Sequence, residues 1–154
     1  MAATQPQRKV LLAVDGSENS EYAFDWYVSN MHKEENTLVL VHCPETLANV
    51  TMMSPGKVQD LINEGETKTK SIETKFEFKM NKARIRGEFV RLDNAEKPGA
   101  AICECAAEKN VTYVVTGTRG LGKIRRTIMG SVSDYVIHHA HVPVLVVRHK
   151  EGKQ

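Results

Sequence analysis

Several short runs of the sequence are apolar at every position instead of at alternate positions. They are VLLAV (10–14), LVLV (38–41) and YVV (113–115). A strand with one face in water alternates apolar and polar residues, whereas a strand covered on both faces is apolar throughout. These runs therefore predict parallel strands in the middle of a sheet, with helices packed on both sides.

Helical patterns separate the predicted strands. Ala23, Phe24, Tyr27, Val28 and Met31 form one apolar helical face, and the remaining helical patterns cover about 57–82, 98–110 and 131–140. The predicted strands cover 8–14, 37–43, 84–92, 112–117 and 142–149. Five strands separated by helices require parallel pairing with right-handed crossovers. The pattern predicts an α/β fold, a doubly wound sandwich with a five-stranded parallel sheet.

The size and composition are those of one globular domain. The chain has 154 residues, of which 41% are hydrophobic and 26% charged, so we expect a single domain over 1–154 with its core at about 8–148. A net charge of +2 gives no field that would attract nucleic acid or a membrane surface. The first residues, MAATQPQRK, lack the apolar core of a signal peptide, and the expected location is cytoplasmic. No metal site and no catalytic residue are predicted.

The topology itself points to one edge of the sheet. In doubly wound sheets, ligands bind beyond the carboxyl ends of the strands, where the winding direction reverses. This rule places Val14, Asp15 and Gly16, which follow the first strand, beside the segment that begins at Gly117.

That segment reads GTRGLGKIRRTIMGS (117–131) and invites three interpretations. The first seven letters fit the phosphate-loop pattern G-x-x-x-x-G-K, but Ile124 stands where a hydroxyl must bind Mg²⁺. The glycines also fall in the wrong order for a dinucleotide fingerprint. The third interpretation is a phosphate cradle in two pieces, and the alternative is that the glycines serve only as turns and caps.

In the two-piece cradle, Gly117 and Gly120 let a ligand approach the turn after the fourth strand, while Gly130 and Ser131 begin the last helix. Ser131-Val-Ser-Asp134 is interpreted as a capping box at that helix start. The hydroxyls of Ser131 and Ser133 would face the ligand. Four basic residues lie close by in the sequence: Arg119, Lys123, Arg125 and Arg126.

The glycine spacing resembles that of a known family. The sequence G117-T-R-G120, nine residues, then G130-S131 reproduces the G-x2-G-x9-G-[S/T] signature of the ATP-binding branch of the universal stress protein family. AVDGS (13–17), VHC (41–43), SVSDYVIHHA (131–140) and VPVLVV (142–147) resemble the same family.

The resemblance implies strand order 3-2-1-4-5, an adenine nucleotide as ligand and a homodimer. It implies that Ala13, Val14, Asp15 and Cys43 line the adenine and ribose end. The residues that would hold ribose and phosphates are Gly117, Thr118, Gly120, Gly130, Ser131, Val132 and Ser133. The ligand would be ATP, or AMP or ADP, with Mg²⁺ on the phosphates. In this order 142–149 is an edge strand, and an exposed apolar edge predicts dimerisation through it.

The function expected from these features is a stress-response sensor or switch that hydrolyses ATP slowly at most, because no general base is well placed. One alternative is an ATP hydrolase or adenylyl-transfer enzyme that uses Asp15 and the basic loop. Another is an interaction module with a vestigial pocket.

Overall fold

The computed structural model describes residues 7–47, 50–93, 95–119 and 130–149, and it has the predicted alternation of strands and helices. The elements are β1 (Lys9–Ala13), α1 (Glu18–Asn30), β2 (Thr37–His42), α2 (Pro55–Lys82), β3 (Arg86–Arg91), α3 (Pro98–Glu108), β4 (Tyr113–Arg119), α4 (Ser131–His139) and β5 (Val144–His149), with a short 3-10 turn (Val50–Met52) before α2. The predicted fold class is confirmed.

The five strands form one parallel sheet in the order β3-β2-β1-β4-β5. β1 is central: Val10 pairs with Leu38 of β2 on one side and with Tyr113 of β4 on the other. The order implied by the resemblance is therefore confirmed, and β3 and β5 lie at the two edges.

The all-apolar strands are explained by two separate cores, one on each face of the sheet. Alternate β1 residues point to opposite faces, so that Val10 and Leu12 contribute to one core and Leu11 to the other. Phe24 of α1 and Phe76 of α2 fill the first core. The second core is packed by residues of α3 and α4. Because both faces are covered, no strand position in the centre needs to be polar.

Helix ends were less well predicted than helix cores. α1 begins after Ser17, whose side chain accepts a hydrogen bond from the Ser20 amide at 3.3 Å and caps the helix. α2 begins two residues earlier than predicted, because Ser54 caps it and Pro55 occupies the first turn. Among the residues that the structure describes, no helix is both long enough and apolar enough to cross a membrane.

The topology leaves a cleft at one edge of the sheet. β2 and β3 lie on one side of β1, and β4 and β5 lie on the other, so the chain reverses its winding direction between β1 and β4. The starts of α1 and α4 both lie at the carboxyl ends of these two strands, and they approach from opposite faces. The fold thus positions two helix N-termini around one opening.

Candidate functional site

A cleft of about 440 Å³ opens at the carboxyl ends of β1 and β4. A volume of this size is typical of sites for small ligands. Ten of the predicted site residues line it: Ala13, Val14, Asp15, Cys43, Gly117, Thr118, Gly130, Ser131, Val132 and Ser133. Segments that are far apart in the sequence therefore meet at one opening, as the topology required.

The two remaining predicted site residues are Arg119 and Gly120. Arg119 is the last residue of β4, and its backbone pairs with His149 of β5. Gly120 lies outside the described residues, as do the three basic residues Lys123, Arg125 and Arg126.

The turn after β1 is held by its own side chains. The Asp15 carboxylate accepts hydrogen bonds from the Ser17 amide, at 2.8 Å, and from the Ser17 hydroxyl. Ser20 closes the turn, because its hydroxyl accepts from the Asp15 amide at 3.1 Å and donates to the Asp15 carbonyl at 2.9 Å. The backbone groups of Asp15 are therefore committed to the fold, and its carboxylate is what this residue offers to a ligand.

The backbone of Val14, which precedes Asp15, is also held by hydrogen bonds. The Val14 amide donates to the Val41 carbonyl at 2.9 Å, and the ring Nδ1 of His42 donates to the Val14 carbonyl at 2.9 Å. His42 is buried and does not line the cleft. Its role in the structure is to hold the end of β1, and it is not a base facing the opening.

One part of the cleft lining is apolar. It consists of residues in or directly after β2 and residues of α3: Val41, Cys43, Pro98 and Ile102. The Cys43 sulfur lies 4.0 Å from the Pro98 carbonyl oxygen, and burial raises the pKa of the Cys43 thiol to about 11. A thiol with so high a pKa stays protonated at neutral pH and packs as a small hydrophobic group.

Another part of the cleft lining is the start of α4, and here the sequence interpretation was wrong. Gly130, not Ser131, is the N-cap residue, and as a glycine it has no side chain that could cap the helix. The first helical hydrogen bond runs from the Asp134 amide to the Gly130 carbonyl at 3.0 Å. The capping box at Ser131 therefore does not form. The amides of Ser131, Val132 and Ser133 precede the first helical bond and have no intrahelical acceptor.

The hydroxyl of Ser133 is occupied within the protein. It donates to the Gly117 carbonyl at 3.2 Å and lies 3.0 Å from the Thr116 hydroxyl, and the residue is buried. These contacts tie α4 to β4 beneath the cleft. Ser133 can offer a ligand its backbone amide, whereas the predicted hydroxyl contact would require breaking this network.

Gly117 and Gly130, two glycines of the signature, are glycine for different physical reasons. A Cβ on Gly117 would lie 2.6 Å from the Asn19 carbonyl oxygen of α1 and 3.1 Å from the Ala23 Cβ. Gly117 is thus required because α1 crosses β4 closely. A Cβ on Gly130 would meet no atom of the described residues within 4 Å, so among these residues the space in front of Gly130 is open to a ligand. The prediction that Gly117 frees space for the ligand is not what its packing shows.

Seven further residues, which the sequence interpretation did not assign to the site, also line the cleft: Ser17, Asn19, Ser20, Val41, Pro98, Ile102 and Thr116. Ser17 and Pro98 carried visible signals as helix-start residues, and a helix start at the carboxyl edge of a sheet is a candidate lining position. Asn19, Ile102 and Thr116 carried none, because which face of α1 or α3 meets the cleft depends on how the helix is packed.

Together these groups form an amphipathic cleft. Apolar side chains from β2 and α3 form one part of the lining, and helix amides without an intrahelical acceptor form another, where the dipole of α4 favours an anion. Asp15 is the one carboxylate among the described residues that line it. No cluster of three or more possible metal ligands occurs in the described part of the chain. The arrangement can hold a molecule with a flat apolar part and an anionic tail.

Comparisons with known sequences identify the family to which the chain belongs. Residues 7–148 match the sequence model of the universal stress protein family. A Staphylococcus aureus (strain USA300) protein named as a universal stress protein is 30% identical over 158 residues, covering 94% of this chain and 86% of that protein.

Solved structures show the same fold. A universal stress protein family member from Arabidopsis thaliana, crystallised with AMP bound, superposes with a TM-score of 0.71 at 20% identity over 94% of this chain and 93% of its own. A universal stress protein from Archaeoglobus fulgidus in complex with dAMP gives 0.65 at 19% identity, covering 91% and 97%.

Proposed function

We propose that this chain, which belongs to the universal stress protein family, binds an adenine nucleotide in the cleft between β1 and β4. The observation that carries the proposal is the set of three amides at Ser131, Val132 and Ser133, which have no intrahelical acceptor and lie at the start of α4 in a cleft that is also lined by apolar side chains. Free amides at a helix N-terminus bind phosphate oxygens. AMP and dAMP in the two structural neighbours support an adenine nucleotide as the ligand class.

In this proposal the base lies against Val41, Pro98 and Ile102, and the phosphates lie at the start of α4. The ligand is ATP, or its products AMP or ADP. Mg²⁺ would be carried mainly by the phosphates, because Mg²⁺ needs only one or two protein carboxylates and the cleft offers Asp15. When bound, the metal would neutralise phosphate charge.

The protein acts as a stress-response sensor or switch and not as a fast enzyme. A hydrolase needs a group that positions or deprotonates the attacking water. The described lining contains no histidine, and the Asp15 carboxylate already accepts two hydrogen bonds from Ser17. These features support a bound state that lasts, with slow hydrolysis at most.

Titration calorimetry tests the nucleotide site. We expect saturable binding of AMP and ATP to the wild-type chain, and at least about a tenfold loss of affinity, roughly 1.4 kcal/mol, in Gly130→Val. The Gly130 backbone, at φ −67° and ψ 157°, suits any residue, and an added Cβ meets no atom within 4 Å in the part of the chain that the structure describes. The valine would therefore stand in the ligand's space, while unfolding shifts by about 1 kcal/mol or less through weaker capping.

Gly65→Val is the matched control for this experiment. A Cβ added to Gly65 would also meet nothing within 4 Å, but this glycine lies on the exposed part of α2 and does not line the cleft. The affinity of this variant for nucleotides should equal that of the wild type. Wild-type protein that binds no adenine nucleotide would remove the proposal, and full affinity in Gly130→Val would place the ligand elsewhere.

The same proposal includes a homodimer through β5. This strand pairs with β4 on one side and ends the sheet on the other, which leaves a row of backbone groups for another copy. Val146 is half-buried and lies outside both hydrophobic cores. It is therefore suited to test the edge without disturbing the fold.

Sedimentation equilibrium at micromolar concentration should give the mass of a dimer for the wild type. Val146→Lys should give a monomer, because a charged edge opposes strand pairing. Val58→Lys makes the same change at a half-buried valine of α2 outside both cores and should stay dimeric. A monomeric wild type would disprove the dimer.

A further inference from the structure

Asn19, in the first turn of α1, lines the cleft and is joined to a residue that is distant in the sequence. Its side-chain oxygen Oδ1 lies 3.2 Å from the Nδ1 atom of His149, the last residue of β5. The His149 ring stacks on Tyr22 of α1, with ring centroids 4.5 Å apart and an angle of 21° between the planes. His149 therefore holds Asn19 at the cleft, and Tyr22 holds the His149 ring.

The histidine contact determines what the asparagine can offer a ligand. An amide oxygen accepts hydrogen bonds, so the Nδ1–H of His149 donates to Asn19. Both the neutral ring with its proton on Nδ1 and the charged ring can make this bond. With Oδ1 turned towards His149, the Asn19 NH₂ group is a donor with both N–H bonds available to a ligand. A donor in the cleft lining suits an anionic or acceptor group.

The position of Asn19 complements that of the α4 amides. α1 packs on one face of the sheet and α4 on the other, and both meet β4 at Gly117. The Asn19 carbonyl lies over Gly117 from one face, and the Ser133 hydroxyl donates to the Gly117 carbonyl from the other. A phosphate that crosses the end of β4 would pass between the start of α4 and the Asn19 side chain.

We propose that Asn19 is a second phosphate contact, donating from its NH₂ group, and that His149 and Tyr22 are the residues that position it. This inference rests on the proposed adenine-nucleotide site and adds a group from the opposite face of the sheet. The phosphate chain is then held by α4 amides on one side and by a neutral side-chain donor on the other.

Asn19→Asp tests the contact with little change of shape. The substitution keeps an oxygen for His149 but replaces the NH₂ donor by a carboxylate oxygen, which repels phosphate. We expect affinity for AMP and ATP to fall by about tenfold or more, and affinity for adenosine to remain that of the wild type. The fold should not suffer, because an acidic residue in the first helical turn is favourable. Calorimetry and thermal unfolding measure the two effects.

Asn63→Asp is the control for the change in net charge. Asn63 is exposed on α2, and its oxygen accepts from the Gln59 side-chain amide at 3.0 Å, so the carboxylate there keeps an equivalent bond. Nucleotide affinity should not change in this variant. An equal loss in Asn63→Asp, or an equal loss for adenosine in Asn19→Asp, would overturn the phosphate contact.

His149→Phe tests the positioning role. A phenyl ring can keep the stacking on Tyr22 but cannot donate to Asn19, so we expect AMP and ATP to bind about threefold more weakly and adenosine to bind unchanged. Added to Asn19→Asp, the histidine change should cost nothing further, because the donor that it orients is already gone. Fully additive losses would overturn the positioning role.

These outcomes separate the two proposals. A wild-type chain without affinity for AMP or ATP would remove the nucleotide site itself. A wild-type chain that binds both, with unchanged affinity in Asn19→Asp, would leave that site standing and remove Asn19 from it.

Discussion

Gly117→Val is expected to destabilise the fold by about 3 kcal/mol or more, at the upper end of what overpacking a core costs. The new Cβ would stand 2.6 Å from the Asn19 carbonyl oxygen and 3.1 Å from the Ala23 Cβ. The nearest obstacle is backbone, which cannot rotate away as a side chain can. β4 cannot withdraw either, because it pairs with β1 and β5 on its two sides. α1 must therefore move off the sheet.

Urea unfolding measures this effect, and Gly130→Val is its control. Both variants add the same side chain to a glycine of the same signature, yet only Gly117 faces a packed helix. We expect a large fall in the urea midpoint for Gly117→Val and a small one for Gly130→Val. Equal midpoints in Gly117→Val and the wild type would mean that α1 does not lie this close to β4.

The contrast also decides how a loss of nucleotide binding should be interpreted. Weaker binding in Gly117→Val would follow from the displacement of α1, which carries Asn19 to the cleft, and would say nothing about ligand contact at Gly117. Weaker binding in Gly130→Val, with the fold intact, would report on the ligand directly. The first glycine is required by helix packing, whereas a Cβ on the second meets no described atom within 4 Å.

Phe24→Ala is expected to lower the free energy of unfolding by about 3–5 kcal/mol, the usual cost of removing a buried aromatic ring. Phe24 is 2% exposed and contacts Phe76 edge-on, with ring centroids 5.7 Å apart. The Lys79 ammonium lies 5.6 Å from the Phe24 ring centroid. The contact between the Phe24 and Phe76 rings joins α1 to α2, and both rings pack in the core on one face of the sheet. A domain with an overall stability of about 5–15 kcal/mol would lose a large part of it.

Phe78→Ala is the matched control, because Phe78 lies in the same helix as Phe76 but is 66% exposed. Its removal should change the free energy of unfolding by about 0.5 kcal/mol or less. The double variant Phe24→Ala with Phe76→Ala should show a coupling of about 1 kcal/mol, because each ring is the other's partner. Similar costs for Phe24 and Phe78 would contradict the packing of α1 on α2.

Much of the fold could be predicted because it depends on local patterns. Apolar runs such as LVLV (38–41) indicate strands buried on both faces, and their alternation with helices leaves parallel pairing as the consistent arrangement. The position of the cleft followed from the same topology. Helix ends were harder to predict. Ser131 and Asp134 match a capping box, yet the N-cap residue of α4 is Gly130, because a cap forms only if the backbone before it turns suitably.

The sequence by itself determined the layers, the strand order through the family resemblance, and the edge of the sheet where a ligand can bind. The tertiary structure decided what individual groups in the cleft do. In the folded chain the Ser133 hydroxyl contacts Thr116 and Gly117, and Gly117 itself packs against α1. His149 lies next to Asn19, although 130 residues separate them in the sequence. The physical reason is that hydrogen bonds and steric contacts depend on distances in space. Strand and helix patterns depend on neighbours along the chain. Distances between residues of different elements are set only when those elements pack together.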